Sequence, residues 1–225
     1  MERYILAIVG LILMQSCAIS PIRLVNSFFL DEDSCDIYIS DWELLEKLYK
    51  KEYSKYEIKP NDVVAEIGAA NLFLSLSIMC FVDDVTFYVQ DIEMSCLTEE
   101  IMQKGKEHFT KLRGEGPLKG TIHLVKGEQN LSNLPYNTFD KAILRLVYHE
   151  FEEPEKNLRD IYQILKPEGV LFIGEDIEKK KDKKVKCGLH RTHEHLLQEV
   201  EKEGFKFERI VYEKRKFKVY KFVKV

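Results

Sequence analysis

The sequence has little glycine and proline, 11 and 6 among 225 residues, and no Cys-x-x-Cys pair. The first scarcity excludes a collagenous or low-complexity chain. The second argues against a zinc ribbon or a thioredoxin-like dithiol. Charge of one sign is nearly absent in the sum: the formal net charge of −4 gives no global reason to expect nucleic acid as a partner. No apolar run approaches the roughly 20 residues that cross a bilayer. What is present is 45% apolar and 32% charged residues, the balance of an ordinary globular chain, at a length that suits one α/β domain. The cysteines, at 17, 35, 80, 96 and 187, are odd in number.

Residues 1–20 read as a signal-like segment. The apolar run 4–14 (YILAIVGLILM) has the length of a secretory h-region. Leu13-Met14-Gln15-Ser16-Cys17 resembles a bacterial lipoprotein box, which implies acylation at Cys17, export and membrane anchoring. Cleavage after Ala18, or an uncleaved apolar segment packed on a cytoplasmic domain, are the other readings. If Cys17 carries lipid, Cys35, Cys80, Cys96 and Cys187 remain to pair in an oxidising compartment, with three connectivities. Cys80, inside the apolar run LSLSIMCF, reads as a buried thiol.

Residues 21–60 form a helical lead-in, with an amphipathic helix over 41–51 capped by Asp41. From 61 to 225 strands and helices alternate. Strands are expected at 63–67, 85–89, 121–125, 139–146 and 170–174. Helices are expected at 72–81, 95–112 (Ser95 as cap), 155–165 and 192–203, the last closed by Gly204. Two strands, 205–212 and 217–223, close the chain. The pattern predicts a Rossmann-like, doubly wound α/β fold: a mostly parallel seven-stranded sheet with an antiparallel C-terminal edge strand.

Ligands in such sheets bind outside the carboxyl ends of the strands, near the switch in strand order. Those ends read Glu66-Ile67-Gly68-Ala69-Ala70-Asn71-Leu72, Gln90-Asp91-Ile92-Glu93, Lys126-Gly127-Glu128-Gln129 and Arg145-Leu146-Val147-Tyr148-His149. An acid closing the second strand suits a ribose diol, because a carboxylate accepts two hydroxyl hydrogen bonds.

Over about residues 60–225 these stretches resemble the class I S-adenosylmethionine-dependent methyltransferases, the small methyltransferase-domain family. The resemblance is carried by the acid-x-Gly-x-Gly-x-Gly register of 66–72 and by Asp91. Pro135 to Ala142 (PYNTFDKA), Leu165 to Gly169 (LKPEG) and Gly204-Phe205 add to it. It implies S-adenosylmethionine as cofactor and methyl transfer to a small-molecule acceptor. Gly68 and Ala70 would form the cofactor loop, Glu66 would order it and meet the methionine amino group, and Asp91 with Ile92 would take the ribose. Glu128, or Gln129, would accept from the adenine amino group. Arg145 to His149 would line the methyl-transfer face, with Tyr148 and His149 as the catalytic candidates. A neutral imidazole at 149 can take a proton near pH 7.

Two features depart from the family pattern. Ala70 and Leu72 stand where the second and third glycines belong, and a non-glycine residue at positive φ costs about 1–2 kcal/mol. S-adenosylmethionine is also a cytosolic metabolite, which conflicts with export. The alternative function is therefore an exported, lipid-anchored module that keeps the fold with lost or weakened cofactor binding.

The cluster His190, His193, His195 and Cys187 admits a metal reading. His193 and His195 point to different helix faces, so it reads instead as a helix start capped by Thr192, and no metal site is assigned. The lysine run 179–186 (KKKDKKVK) reads as a solvated loop or, with acylated Cys17, as a face toward anionic lipid. It lacks interleaved aromatics, so base stacking has no support.

Overall fold

The computed structural model describes residues 35, 39–177 and 192–225. Cys17 with the rest of the N-terminal segment, the lysine run 179–186, Cys187 and His190 lie outside the described residues.

Seven strands make one sheet: β1 (Val63–Ile67), β2 (Val85–Asp91), β3 (Gly120–Lys126), β4 (Phe139–Arg145), β5 (Leu165–Asp176), β6 (Phe205–Lys214) and β7 (Phe217–Lys224). Their order is β3-β2-β1-β4-β5-β7-β6. Strands β1 to β5 pair in parallel, and β7 runs antiparallel to both β5 and β6. The order reverses between β1 and β4. This is the architecture expected from the alternation, with the antiparallel edge formed by the last two strands.

The parallel strands are apolar on both faces, as a sheet covered by helices on each side requires. Along β1, Val64 enters one core cluster while Ala65 and Ile67 enter the other. The first face is covered by α3 (Phe73–Met79), α4 (Glu99–Arg113) and the lead-in. The lead-in consists of α1 (Trp42–Leu45), a π-helical turn, α2 (Lys51–Tyr53) and a 3-10 turn. It is part of the core: Ile39, Leu45, Tyr53 and Tyr56 are buried with Phe87, Phe109 and Phe172. The second face is covered by α5 (Pro154–Ile164) and α6 (His193–Lys202) through Leu158, Ile161, Leu196 and Val200.

Several boundaries differ from the sequence reading for local reasons. Asp41 caps the lead-in as expected, its carboxylate accepting from the Leu44 N–H at 2.7 Å. The second main helix starts four residues later than expected because Thr98, not Ser95, supplies the cap. Strand β5 begins at Leu165 rather than 170. It takes in the Lys166-Pro167-Glu168-Gly169 turn as an irregularity, since Phe139 pairs with Leu165 and Lys141 with Val170.

One acid ties three strands together. Asp140 accepts from the Val63 N–H at 2.8 Å and from Lys166 Nζ at 2.7 Å, joining the starts of β1, β4 and β5. Beside it Lys141 pairs with Asp62. The PYNTFDKA and LKPEG resemblances thus mark positions that hold the far end of the sheet. A disulfide joins Cys35 to Cys96, Cα atoms 5.0 Å apart, stapling the chain ahead of α1 to the segment after β2. Cys80 is a buried free thiol, and burial pushes its pKa up to about 12. Among the described residues, no helix is long and apolar enough to cross a membrane.

Candidate active site

The crevice at the order reversal is built from the loops after β1, β2 and β4. Gly68 leaves β1 at φ +66°, and a Cβ there would overlap Val147 of the loop after β4. The glycine is needed because the two loops touch. Its backbone N–H and that of Ala69 both donate to the Gln90 carbonyl, at 2.9 and 3.1 Å. Ala70 follows at φ +52°, a left-handed conformation that alanine adopts only at a cost. Its N–H donates to Asp91 Oδ2 at 2.7 Å, which holds the loop in place. Leu72 has φ −93°, so glycine is not required there, and its side chain is buried in the first core cluster.

Asp91 closes β2, and its second oxygen accepts from the Glu93 N–H at 2.9 Å. Each carboxylate oxygen keeps a further lone pair, so the group can still accept from a diol. Ile92 stands beside it 57% exposed, one of four large hydrophobic residues exposed among the described residues. Leu131, in the loop after β3, is another at 40%. Glu128 and Gln129 are exposed on the same loop. The Glu128 N–H donates to the Leu131 carbonyl at 2.7 Å, and Gln129 Nε2 donates to Glu152 at 2.5 Å. The structure therefore brings Gly68, Ala70, Asp91 and Ile92 together, with Glu128 and Gln129 at the rim by β3.

Glu66 is buried in β1, 4% exposed, and its Oε2 has no hydrogen-bond partner. Burial raises its pKa to about 8, against hydrogen bonds from Ser75 and the positive field of Arg145. It is an acceptor without a donor, two residues before Gly68, in a chain whose other buried polar groups are mostly satisfied.

Two expected residues face elsewhere. Tyr148 is fully buried in the second core cluster, and its hydroxyl pairs with Glu199 of α6 at 3.1 Å. It supports the loop from beneath, where its apolar ring is best placed. Arg145 lies on the opposite face, held by Glu52 of the lead-in through Nε–Oε1 at 2.8 Å and Nη2–Oε2 at 3.3 Å, with Phe217 under its guanidinium. Burial opposes its charge, but the Glu52 carboxylate beside it keeps the guanidinium protonated. The same cluster contains Tyr56, whose hydroxyl donates to Glu52 at 3.1 Å, and the buried, unpartnered hydroxyl of Tyr53.

His149 lies just past the carboxyl end of β4. It sits in a 3-10 turn after β4, and its Nδ1 lies 3.0 and 3.2 Å from the two oxygens of Glu175, near the carboxyl end of β5. Glu175 is buried, and its hydrogen bond to His149 raises the imidazole pKa. Glu150 lies within 3.8 Å of Nε2. Its own pKa is raised by burial and then, against the pull of His149, by the carboxylates of Asp91 and Glu175, which places the ends of β2, β4 and β5 within electrostatic reach of one another.

Glu175 and Glu52 were not named as site residues by the sequence reading. Glu175 had a signal, an acid at the end of the apolar strand VLFIGED. Glu52 lies 93 positions from its partner, and nothing local marks it. Of the histidine cluster, His193 stacks on Tyr220 with Nδ1 3.1 Å from its hydroxyl, and His195 turns toward Glu199 at 3.6 Å.

A family model described as "Methyltransferase domain" matches residues 95–173, beginning after the glycine loop and Asp91. The ubiquinone/menaquinone biosynthesis C-methyltransferase UbiE of Escherichia fergusonii is 30% identical over 82 residues. That stretch is 36% of this chain and only 31% of that enzyme. Among solved structures, a SAM-dependent methyltransferase from Aquifex aeolicus superposes with a TM-score of 0.59 at 21% identity, covering 82% of this chain and 99% of that one. A SAM-dependent methyltransferase from Methanosarcina mazei gives 0.58 at 14% identity, over 76% and 96% of the two chains. The [4+2]-cyclase SpnF gives 0.59 at 14% identity, over 81% and 79%. The chain has the Rossmann-like fold of the SAM-dependent methyltransferases.

Proposed function

We propose that the protein transfers a methyl group from S-adenosylmethionine to a small-molecule acceptor. The observation that carries this reading is Asp91 at the end of β2, beside exposed Ile92, at the point where the strand order reverses. In this assignment Asp91 accepts from the ribose hydroxyls and Ile92 lies along the adenine, with Glu128 or Gln129 at its amino edge. The orphaned Oε2 of Glu66 meets the methionine ammonium, a donor that satisfies it. The bound sulfonium supplies an electrophilic methyl group. The chain orients the acceptor against it, a contribution that by itself accounts for large rate factors. Val147 already fills the space beside Gly68, so the cofactor approaches this loop from its Ala70 side.

Calorimetric titration of S-adenosylmethionine into the full chain tests this. Micromolar binding is expected, weakened about tenfold to a hundredfold by Asp91→Ala, as the loss of charge-assisted hydrogen bonds of roughly 1.5–3 kcal/mol implies. Because Glu66 is protonated near neutral pH in the free chain, binding a cation there releases close to one proton. Titrations in buffers of different ionisation enthalpy read that release. No binding at millimolar cofactor defeats the proposal.

A second reading, an exported and lipid-anchored module without methyl transfer, is favoured by the Cys35–Cys96 disulfide, since such bonds persist in oxidising compartments. It predicts an acyl adduct at Cys17 by intact-mass measurement, with no cofactor binding in the calorimeter.

A further inference from the structure

We propose that His149 and Glu175 form a base-and-orienter pair, which commits the site to acceptors whose nucleophilic atom carries a removable proton, a hydroxyl or an N–H group. The inference rests on the methyl-transfer reading for its substrate, but the pair itself stands on geometry. Glu175 meets Nδ1 with both carboxylate oxygens, at 3.0 and 3.2 Å. A buried carboxylate placed so takes the Nδ1 hydrogen, which fixes the neutral tautomer with the lone pair on Nε2. The Glu175 carboxylate also accepts from the His149 backbone N–H at 3.4 Å, so it orients both the ring and the turn that carries it.

Two further carboxylates lie near the imidazole: Glu150, 3.8 Å from Nε2, and Asp176, which follows Glu175 on β5. Both favour the imidazolium, which makes Nε2 a stronger proton acceptor than an ordinary histidine. Such a group is of no use to an acceptor that is already a free lone pair, such as a thioether or a tertiary amine. It is useful where a proton must leave as the new bond forms. The acceptor X–H gives its proton to Nε2, and the X lone pair forms the X–C bond. The C–S bond breaks with its pair going to sulfur. The sulfonium charge is thereby lost and one positive charge appears on His149, which returns the proton to solvent. Glu175 is a positioning residue in this scheme. His149 is the residue that meets the acceptor.

The first test needs no cofactor. In the full chain, nitrogen-15 NMR of the histidine rings should find His149 as the Nδ1–H tautomer, titrating above the ordinary imidazole value. Glu175→Gln should lower its midpoint by about one pH unit, the size expected for one adjacent carboxylate. An unchanged midpoint and tautomer overturn the pair. The second test adds S-adenosylmethionine with a phenol, an aromatic amine or a thioether and follows release of S-adenosylhomocysteine. Methylation of the phenol or the amine is expected, falling at least about 100-fold in His149→Gln with cofactor affinity unchanged. In Glu175→Gln the inflection of kcat/KM against pH should move down with the NMR midpoint. Methylation of the thioether alone, or of none of the three while cofactor binds, overturns the acceptor class. Absence of cofactor binding defeats the methyl-transfer reading and, with it, the acceptor class, while the NMR result still decides the pair.

Discussion

The two sides of the crevice are held by different means. On the β1–β2 side the loops are fixed by backbone: Gly68 and Ala69 donate to the Gln90 carbonyl, while Ala70 and Glu93 donate to Asp91. On the β4–β5 side they are fixed by side chains from distant elements: Glu52 on Arg145, Glu175 on His149, Glu199 under Tyr148. A backbone-built site tolerates change in most side chains but depends on conformation at single positions. A side-chain-built site depends on a few pairs, and each is costly to break because its members are largely buried.

The largest effect expected from this difference is at Glu52. Glu52→Ala leaves Arg145 over Phe217 among Tyr53 and Tyr56 with no carboxylate. Breaking a buried pair costs about 3–5 kcal/mol. The Arg145 side chain keeps 27% of its surface in solvent, which sets the expectation at about 3 kcal/mol. Urea unfolding should show the midpoint falling with little change in slope. Cofactor affinity, measured below the transition, should stay within about twofold, because Glu52 bonds to Tyr56 and Arg145 rather than to the loops after β1 and β2. A matching loss of cofactor affinity would show the two sides to be one unit.

The same difference explains what the sequence made legible. Backbone-built features leave local traces. The acid-x-Gly register marks the turn after β1, an acid closes β2, and alternating apolar runs place the strands within a few residues. Gly68 was readable because only certain residues adopt φ +66°. What glycine makes room for, Val147, was not, since it depends on how two loops meet. Arg145 shows the same limit: its position at the end of β4 was legible, but its pairing with Glu52, 93 residues away, was not. Leu72 misled differently. It breaks the glycine pattern yet carries no strain, because its φ of −93° is ordinary and its side chain fills the core. The lead-in was legible as a helix by its period and its Asp41 cap. Its packing against Phe172, through Tyr56 at 5.4 Å between ring centroids, was not.

Glu66 stands at the border of the two sides, in β1 but within the field of both Arg145 and Asp91. Its carboxyl has an ordinary pKa of 4.5 and is raised to about 8 in the folded chain. The folded state therefore holds a proton that the unfolded state releases above pH 4.5. This contribution to stability is full below that value and is lost as pH rises toward 8. Each pH unit in the window is worth about 1.4 kcal/mol, so urea unfolding at about pH 6.5 should show roughly 2 kcal/mol less stability than at about pH 5. His149, also raised, acts in the same direction only above its ordinary value of 6.5, which keeps the lower window for the carboxyls. Glu66→Gln, an isostere of the protonated group, should flatten the profile there. A wild-type profile already flat from pH 5 to 6.5 would refute the burial of an uncompensated carboxyl.

The smallest effect distinguishes the backbone side most sharply. Ala70 sits at φ +52° with its N–H on Asp91. An L-residue there costs about 1–2 kcal/mol, and glycine gives back roughly 0.5–1 kcal/mol through the greater freedom of the unfolded chain. Ala70→Gly should therefore stabilise the free chain by no more than about 1 kcal/mol, read as a small rise in urea midpoint. Under the proposed function, removing the exposed methyl also clears the side of the loop that would meet the cofactor, so affinity should rise by a few-fold. The equivalent change on the other side, Leu146→Gly at φ +58°, relieves the same kind of strain but should leave cofactor affinity unchanged, because that loop is held by the pairs around His149. If both substitutions raise affinity equally, the distinction between a backbone-built and a side-chain-built half is wrong. If only Ala70→Gly does, the left-handed alanine limits how tightly this fold holds its cofactor.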